Sequence, residues 1–151
     1  MSAIPLFAIL LTSFTIIKSN EHSKDLIVLE VQEPKISKQQ ADAFITEVYA
    51  TFANEEVFNK QQRYDRLLDL LQNRVIIMEH PLKQEESYQK LSQIPLRNKY
   101  NSTLSRDTSF NPDDFNVLKY AVDFYPKERP IHYRVDNTNY LIKILPQKQL
   151  Q

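Results

Sequence analysis

The stretch of the chain that decides the fold is residues 116–146, NVLKYAVDFYPKERPIHYRVDNTNYLIKILP. Apolar and polar side chains alternate through three segments of it, and successive side chains of a strand face opposite sides of a sheet. The three apolar rows are Leu118, Tyr120, Val122 and Phe124; Ile131, Tyr133 and Val135; and Tyr140, Ile142 and Ile144. The pattern predicts a three-stranded antiparallel meander, one face of which must be covered by other elements.

Two turns separate the predicted strands. The first contains Pro126 and Pro130, which fix φ and cannot donate to a sheet ladder. The second is residues 136–139, Asp-Asn-Thr-Asn, where an asparagine can adopt the left-handed conformation. The chain contains no glycine, so asparagine is the residue expected at such a position.

Two amphipathic helices are predicted before this region. The first begins at Ser37, a residue type favoured at an N-cap, with Gln40 three positions later as in a capping box. Its apolar face is formed at helical spacing by Ala41, Phe44, Ile45, Val48, Tyr49 and Phe52. The second helix is predicted over about residues 60–73. Their apolar faces are suited to packing against the sheet.

Two short apolar runs predict further strands, at residues 25–31 and 75–78. Together with the helices and the meander they predict an α+β fold: two N-terminal amphipathic helices packed on an antiparallel sheet that ends in the three-stranded C-terminal meander. A chain of 151 residues is expected to form one such domain.

Composition excludes several kinds of chemistry. Nineteen basic residues balance nineteen acidic ones, so nothing indicates broad attraction to nucleic acid. The absence of cysteine excludes disulfides, thiolate nucleophiles and thiolate metal ligands. The absence of glycine excludes a P-loop, a dinucleotide fingerprint and a nucleophile elbow. No motif calls for a cofactor.

Residues 1–17 contain no charged side chain. The apolar run within them is too short for a stable membrane span but is typical of a secretory signal. The sequence therefore predicts a signal peptide over residues 1–19, a single α+β domain over 20–151, and a periplasmic or secreted location. The alternative is a cytoplasmic protein in which the apolar segment is part of the core.

A long polar loop is predicted over residues 96–114, and long loops in compact domains are often functional. Four oxygen-bearing residues alternate in it: Asp107, Ser109, Asn111 and Asp113. Their oxygens are of the kind that a hard cation such as Ca²⁺ prefers, which makes them a candidate metal site. Pro112 and Leu118 stand where an EF-hand-like loop requires glycine and glutamate. The alternative interpretation is an Asx-rich turn.

A second candidate site is a mildly basic outer face of the predicted meander. Its members are Lys119, His132, Arg134 and Lys143. Such a face could bind an acidic peptide or an anionic glycan, and neighbouring leucines make a protein contact equally plausible. The alternative is a solvated face, as in many half-exposed antiparallel sheets.

The sequence contains no recognisable catalytic constellation. By elimination it favours a small exported binding or accessory protein without enzymatic activity, acting through protein or glycan contacts. Two alternatives are a small secreted hydrolase with its site in the 96–114 loop, and a cytoplasmic interaction domain. A concave pocket holding two acids, or an acid and His80, would favour the hydrolase.

Overall fold

The computed structural model describes residues 36–80 and 87–147, all within one compact unit, Gln32–Gln151. The predicted signal peptide and the predicted strand at 25–31 lie outside the described residues. The α-helices are α1 (Lys38–Tyr49) and α2 (Gln61–Asp69). The strands are β1 (Val75–Glu79), β2 (Gln89–Lys90), β3 (Ile131–Arg134) and β4 (Tyr140–Ile144). Short 3₁₀ turns lie at Ala50–Phe52, Leu91–Gln93 and Val117–Lys119, and π-helical turns at Asn54–Phe58 and Leu70–Arg74.

Helix α1 begins where the sequence predicts. The hydroxyl of Ser37 accepts a hydrogen bond from the backbone N–H of Gln40 at 3.1 Å, which satisfies one of the free donors of the first turn. The side chain of Gln40 does not complete a capping box. It donates instead to the carbonyl oxygen of Asp113 at 2.7 Å, so the start of α1 is tied to the loop before residue 114.

The strands form one mixed sheet in the order β1-β4-β3-β2. Strand β4 pairs antiparallel with both β1 and β3, while β2 pairs parallel with β3. Ile142 lies opposite Ile77 on one side and Tyr133 on the other, so their side chains share one face. The predicted strand at 75–78 is therefore confirmed, and the β3–β4 hairpin is the part of the predicted meander that forms.

The first strand of the predicted meander does not form. Residues Val117–Lys119 make a 3₁₀ turn, because the Asn116 side chain accepts a hydrogen bond from the N–H of Leu118 at 3.0 Å and bends the chain. Tyr120 makes only an isolated bridge with Leu96. The prediction of a three-stranded C-terminal meander in an all-antiparallel sheet was therefore wrong.

The alternating pattern that suggested this strand has a different physical cause. Tyr120, Val122 and Phe124 are all buried in the core, as the pattern requires, while the residues between them are exposed. The backbone of Ala121 donates to the carbonyl of Pro95 at 2.8 Å instead of joining the sheet. Alternation thus indicated an extended segment lying on the core and not a sheet ladder.

One hydrophobic core joins the two helices, this extended segment and one face of the sheet. From the helices it includes Phe44, Ile45 and Leu67. From the sheet it includes Ile142 and Ile144, both with no exposed surface. The opposite face of the sheet, here called the outer face, also carries buried residues outside this cluster: Arg134 is 4% exposed and Leu141 is 2% exposed.

Candidate functional site

A pocket of about 530 Å³ lies between the 106–110 part of the predicted loop and the turn joining β3 to β4. Its size is within the range of small-molecule sites. The walls combine aromatic and aliphatic side chains with hydroxyl, amide and charged groups. They are Leu91, Ser92, Arg106, Asp107, Thr108, Ser109, Phe110, Phe115, Tyr120, Val135, Asp136, Asn137 and Thr138.

Arg106 fixes the loop side of the pocket. Its Nη1 donates to the carbonyl oxygen of Leu91 at 3.0 Å, and its Nη2 donates to the carbonyl oxygen of Ile94. Its guanidinium carbon lies 5.5 Å from the centre of the Tyr120 ring, in a cation–π contact. The loop is therefore held against the Leu91–Gln93 turn by groups distant in sequence.

Asp107 is the first of two carboxylates in the pocket. Its Oδ1 lies 2.6 Å from the Nζ of Lys119, whose side chain is only 5% exposed. Lys119 Nζ also lies 3.3 Å from Glu47 Oε1 on α1. Burial acts to lower the pKa of Lys119, but the hydrogen bond and charge of Asp107, joined by Glu47, outweigh burial and raise the pKa. The buried ammonium thus fixes the position of Asp107.

Asp136 is the second carboxylate. Its Oδ2 accepts from the backbone N–H of Ser92 at 2.8 Å, and its Oδ1 accepts from the Ser92 hydroxyl at 2.7 Å. Burial opposes ionisation, but the two bonds from Ser92 outweigh burial and hold the pKa of Asp136 below its ordinary value. Asp136 is therefore an ionised acceptor at neutral pH, and it connects the β3–β4 turn to the Leu91–Gln93 turn across the pocket.

The β3–β4 turn, residues 136–139, has the conformation that the sequence predicts. Asn137 has φ of 55°, the left-handed conformation expected of asparagine in a chain without glycine. The hydroxyl of Thr138 donates to the carbonyl of Val135 at 3.0 Å and accepts from the N–H of Tyr140 at 3.1 Å. These bonds fix this edge of the pocket.

Phe110 supplies an aromatic wall. Its ring centre lies 5.2 Å from that of Phe115 and 5.2 Å from that of Tyr140, within the range of favourable aromatic pairs. Phe110 itself is partly exposed. Phe110 thus adds an aromatic ring to a pocket that combines apolar and polar walls.

The structure separates the four residues of the candidate metal site. Asp107 and Ser109 line the pocket, whereas Asn111 accepts a hydrogen bond from the N–H of Asp113 in an Asx turn, at 3.2 Å. Within residues 36–80 and 87–147, no group of three or more histidine, aspartate or glutamate side chains is placed to hold a metal ion. Metal binding at these residues stays a prediction.

Lys119 does not lie on the outer face of the sheet as the sequence predicts. It ends the 3₁₀ turn Val117–Lys119 and points into the core side, because Asp107 and Glu47 compensate its charge there. The other three members do share the outer face. His132 is the cross-strand partner of Lys143, and Arg134 follows His132 by two residues along β3.

Arg134 is buried on that face. Its Nη1 donates to the carbonyl oxygen of His80 at 2.7 Å, and its guanidinium carbon lies 5.5 Å from the centre of the Tyr88 ring. Its Nε and Nη2 are buried and have no hydrogen-bond partner among the residues that the structure describes. In the described part of the chain no carboxylate is within ion-pair distance of it. Leaving a buried charge uncompensated costs about 3–5 kcal/mol relative to a paired one.

His132 belongs to the same environment. Burial, followed by the charges of Lys143 and His80, holds its pKa below the ordinary value. The Tyr88 ring lies 5.8 Å from the His132 ring and 6.1 Å from the His80 ring.

Sequence reasoning did not identify Tyr88, Arg106, Ser92 or Asp136, because their roles depend on contacts between segments distant in sequence.

The chain matches no family model, and comparison with curated proteins and with solved structures found no match. Among residues 36–80 and 87–147, no helix is both long enough and apolar enough to cross a membrane. The arguments for function therefore depend on the two sites themselves.

Proposed function

We propose that the chain is a non-enzymatic binding domain that holds a short neutral glycan in the pocket between residues 106–110 and the β3–β4 turn. The observation that carries the proposal is the pair of internally held carboxylates, Asp107 and Asp136, on the walls of one pocket. Sugars present many hydroxyl donors, and carboxylates are the strongest acceptors for them among side chains.

The two carboxylates keep unused acceptor capacity. An ionised carboxylate has about four acceptor positions. Asp136 uses two of them for Ser92, and Asp107 accepts from Lys119 and, at 3.4 Å, from the hydroxyl of Tyr120. Because these partners already orient both groups, a ligand hydroxyl can bind without the loss of much side-chain freedom.

The remaining walls fit the same class of ligand. Phe110 offers an apolar ring surface for the C–H face of a sugar ring, and the hydroxyls of Thr108, Ser109 and Thr138 add donors and acceptors. Lys119 is covered and compensated, so it offers little attraction to an anionic ligand. A neutral polyhydroxylated ligand is therefore better suited to the pocket than an acidic one.

Titration of the full-length chain with neutral mono- and disaccharides, followed by ¹H–¹⁵N NMR, tests the proposal. The panel includes cellobiose, maltose and diacetylchitobiose. We expect at least one sugar to shift the amide resonances of Ser92, Thr108 and Asn137. We expect Asp136→Asn and Asp107→Asn each to weaken binding by about tenfold or more, since each removes a charged acceptor.

Asp123→Asn is the matched control. Asp123 is exposed, accepts a hydrogen bond from the N–H of Tyr125 at 2.8 Å, and does not line the pocket. We expect this variant to bind as the wild type does. The proposal fails if no sugar perturbs the pocket resonances, or if all three variants bind the same sugar equally.

The location of the protein is a separate part of the proposal. An exported domain is supported by the uncharged apolar segment at residues 1–17. Intact mass of the protein purified from its native cell tests this: a chain beginning near Asn20 is expected. A chain that retains residues 1–19 would favour the cytoplasmic interaction domain instead.

A small hydrolase is the second candidate, and it is favoured by the same two carboxylates in one pocket. Acid catalysis by a carboxyl group requires a raised pKa, however, and the pKa of Asp136 is lowered. We therefore expect no turnover of the sugar that binds. Turnover that is abolished by Asp136→Asn and retained by Asp123→Asn would replace the binding proposal with the hydrolase.

A further inference from the structure

The outer face of the sheet gathers basic side chains from three strands. Arg134 and His132 lie on β3, Lys143 on β4 opposite His132, and Lys90 on β2 opposite Arg134. None of the four is within ion-pair distance of an acidic side chain in the parts of the chain that the structure describes. Asp136, two residues after Arg134, is held by Ser92 in the pocket, and the charge of Lys90 also helps to lower its pKa.

Arg134 distinguishes this face from an ordinary solvated basic surface. A solvated arginine is stabilised by water and counter-ions, but Arg134 is 4% exposed, and its Nε and Nη2 have no hydrogen-bond partner within residues 36–80 and 87–147. Its Nη1 is occupied by the carbonyl of His80. The unused donors Nε and Nη2 form one edge of the guanidinium, the edge that presents two parallel N–H groups to two oxygens of an oxyanion.

Arg74 shows how the same fold compensates another buried arginine. Arg74 is also 4% exposed, but its Nε lies 3.0 Å from Asp69 Oδ2, and its Nη1 donates to the carbonyl of Phe124 at 3.0 Å. Nε and Nη2 of Arg74 also make no hydrogen bond of good geometry. Among residues 36–80 and 87–147, the difference between the two arginines is therefore the carboxylate beside Arg74, and not the degree of burial or the number of bonded donors.

We propose that the Nε–Nη2 edge of Arg134 anchors an oxyanion-binding site on the outer face, with Lys143, Lys90 and His132 supplying the surrounding positive charge. The ligand group is a carboxylate, sulfate or phosphate that presents two oxygens. The half-buried ring of Tyr88 lies 5.5 Å from the guanidinium carbon, and in this proposal it is the group that moves aside when the anion binds. The site shares no residue with the glycan pocket and does not depend on its function.

His132 gives the site a defined pH dependence. The groups that face it are Lys143 on β4, Arg134 on β3, Tyr88 and His80, with Ile76 of β1 beyond Lys143. Its pKa is lowered by burial and by the neighbouring cations, so it is mainly neutral at pH 7. A bound anion favours the charged form, and affinity therefore increases as the pH falls.

Two probes distinguish the class of anion. Sodium sulfate and sodium acetate do not change their own charge appreciably between pH 6 and 8, and sodium chloride at equal ionic strength is the control for screening. Binding to the full-length chain is followed by ¹H–¹⁵N NMR, through the Nε–Hε resonance of Arg134 in wild type and through the backbone amide resonances of His132 and Lys143 in wild type and every variant. The Nε–Hε resonance is assigned by its absence in Arg134→Lys.

We expect saturable binding of at least one probe with 1:1 stoichiometry. Arg134→Lys keeps the charge but loses the two-donor edge, so we expect at least tenfold weaker binding. Arg134→Met should remove saturable binding, and Arg74→Met should retain it. Tyr88→Ala should bind severalfold more tightly, because the cover is absent. Wild-type affinity should be severalfold higher at pH 6 than at pH 8.

Saturable shifts of the Arg134 Nε–Hε resonance with sulfate would identify a tetrahedral anion such as a sulfate or phosphate ester, and shifts with acetate alone a carboxylate. The inference is overturned if neither probe shifts that resonance beyond the chloride control in wild type. It is also overturned if Arg134→Lys binds as tightly as wild type. The wild-type titration decides the question even if Arg134→Met fails to fold.

Discussion

Buried cations on the two sides of the sheet differ in whether a described carboxylate lies beside them. On the core side, Lys119 is enclosed by Asp107 and Glu47, and Arg74 lies beside Asp69. On the outer face, Arg134 is buried to the same degree with one carbonyl partner and no described carboxylate. Since a buried charge is costly unless it is compensated, this difference is the basis for the proposed anion site on the outer face.

The largest effect is expected at Lys119, the most thoroughly compensated of these cations. Lys119→Met leaves Asp107 and Glu47, which are 36% and 42% exposed, without the shared ammonium. The loss of these charged contacts should lower the free energy of unfolding by about 3 kcal/mol. Urea unfolding followed by circular dichroism measures this. Lys127→Met, at an exposed position of the 126–130 turn, should change stability by less than about 0.5 kcal/mol. Equal effects of the two variants would contradict the role assigned to Lys119.

The two buried arginines provide the sharpest comparison. Arg74→Met removes an ion pair and leaves the carbonyls of Phe124 and Leu145 without their donor, so we expect a loss of about 2–3 kcal/mol. Arg134→Met removes an uncompensated charge and one bond to the His80 carbonyl. We expect its stability in salt-free buffer to lie within about 1 kcal/mol of wild type or above it.

Both variants are measured by the same urea titration. A loss at Arg134→Met as large as that at Arg74→Met would show that Arg134 is compensated in the free protein, and the contrast between the two faces would disappear. Added sulfate should stabilise wild type and Arg74→Met more than Arg134→Met, because only the first two keep the site.

The smallest effect concerns pH. The pKa of His132 is lower in the folded protein than in the unfolded chain. The unfolded chain therefore binds more protons between the two pKa values. The contribution of His132 to stability is present above about pH 6.5 and declines as the pH falls toward the folded pKa. Lys143→Met removes one neighbouring charge and should raise the pKa of His132 measured by NMR. Lys127→Met should leave it unchanged. A His132 pKa at or above 6.5 in wild type would contradict the burial and charge assigned to this face.

Local chemistry accounts for the parts of the fold that the sequence predicts. The Ser37 cap, the helical spacing from Ala41 to Val48 and the left-handed Asn137 all depend on neighbours within a few residues. Strand β1 was also predicted, since an apolar run of β-branched residues has few alternatives. The alternation at Tyr120, Val122 and Phe124 predicted burial correctly but not pairing, because a pattern of period two does not specify which backbone the segment bonds to.

The candidate sites were predicted less completely. His132, Arg134 and Lys143 were placed on one face by alternation alone, and Asp107 was identified as a functional candidate by its position in a long loop. Lys119 was misplaced because the 3₁₀ turn at Val117–Lys119 rotates its side chain away from the sheet. Asp136 gave no signal, because its partner Ser92 is 44 residues away in the sequence.

The sequence by itself determined the α+β class, the start of α1, the β3–β4 hairpin and the alternation that places basic side chains on one face. The tertiary structure alone decided that residues 116–124 leave the sheet and that the 106–110 loop and the 136–139 turn line one pocket. It also decided that Arg134 is buried with no carboxylate at ion-pair distance among the described residues. The physical reason is the separation in sequence between the residues that interact. Caps, turns and periodicity arise from neighbours in the chain, whereas charge compensation and cavities arise from segments that only folding brings together.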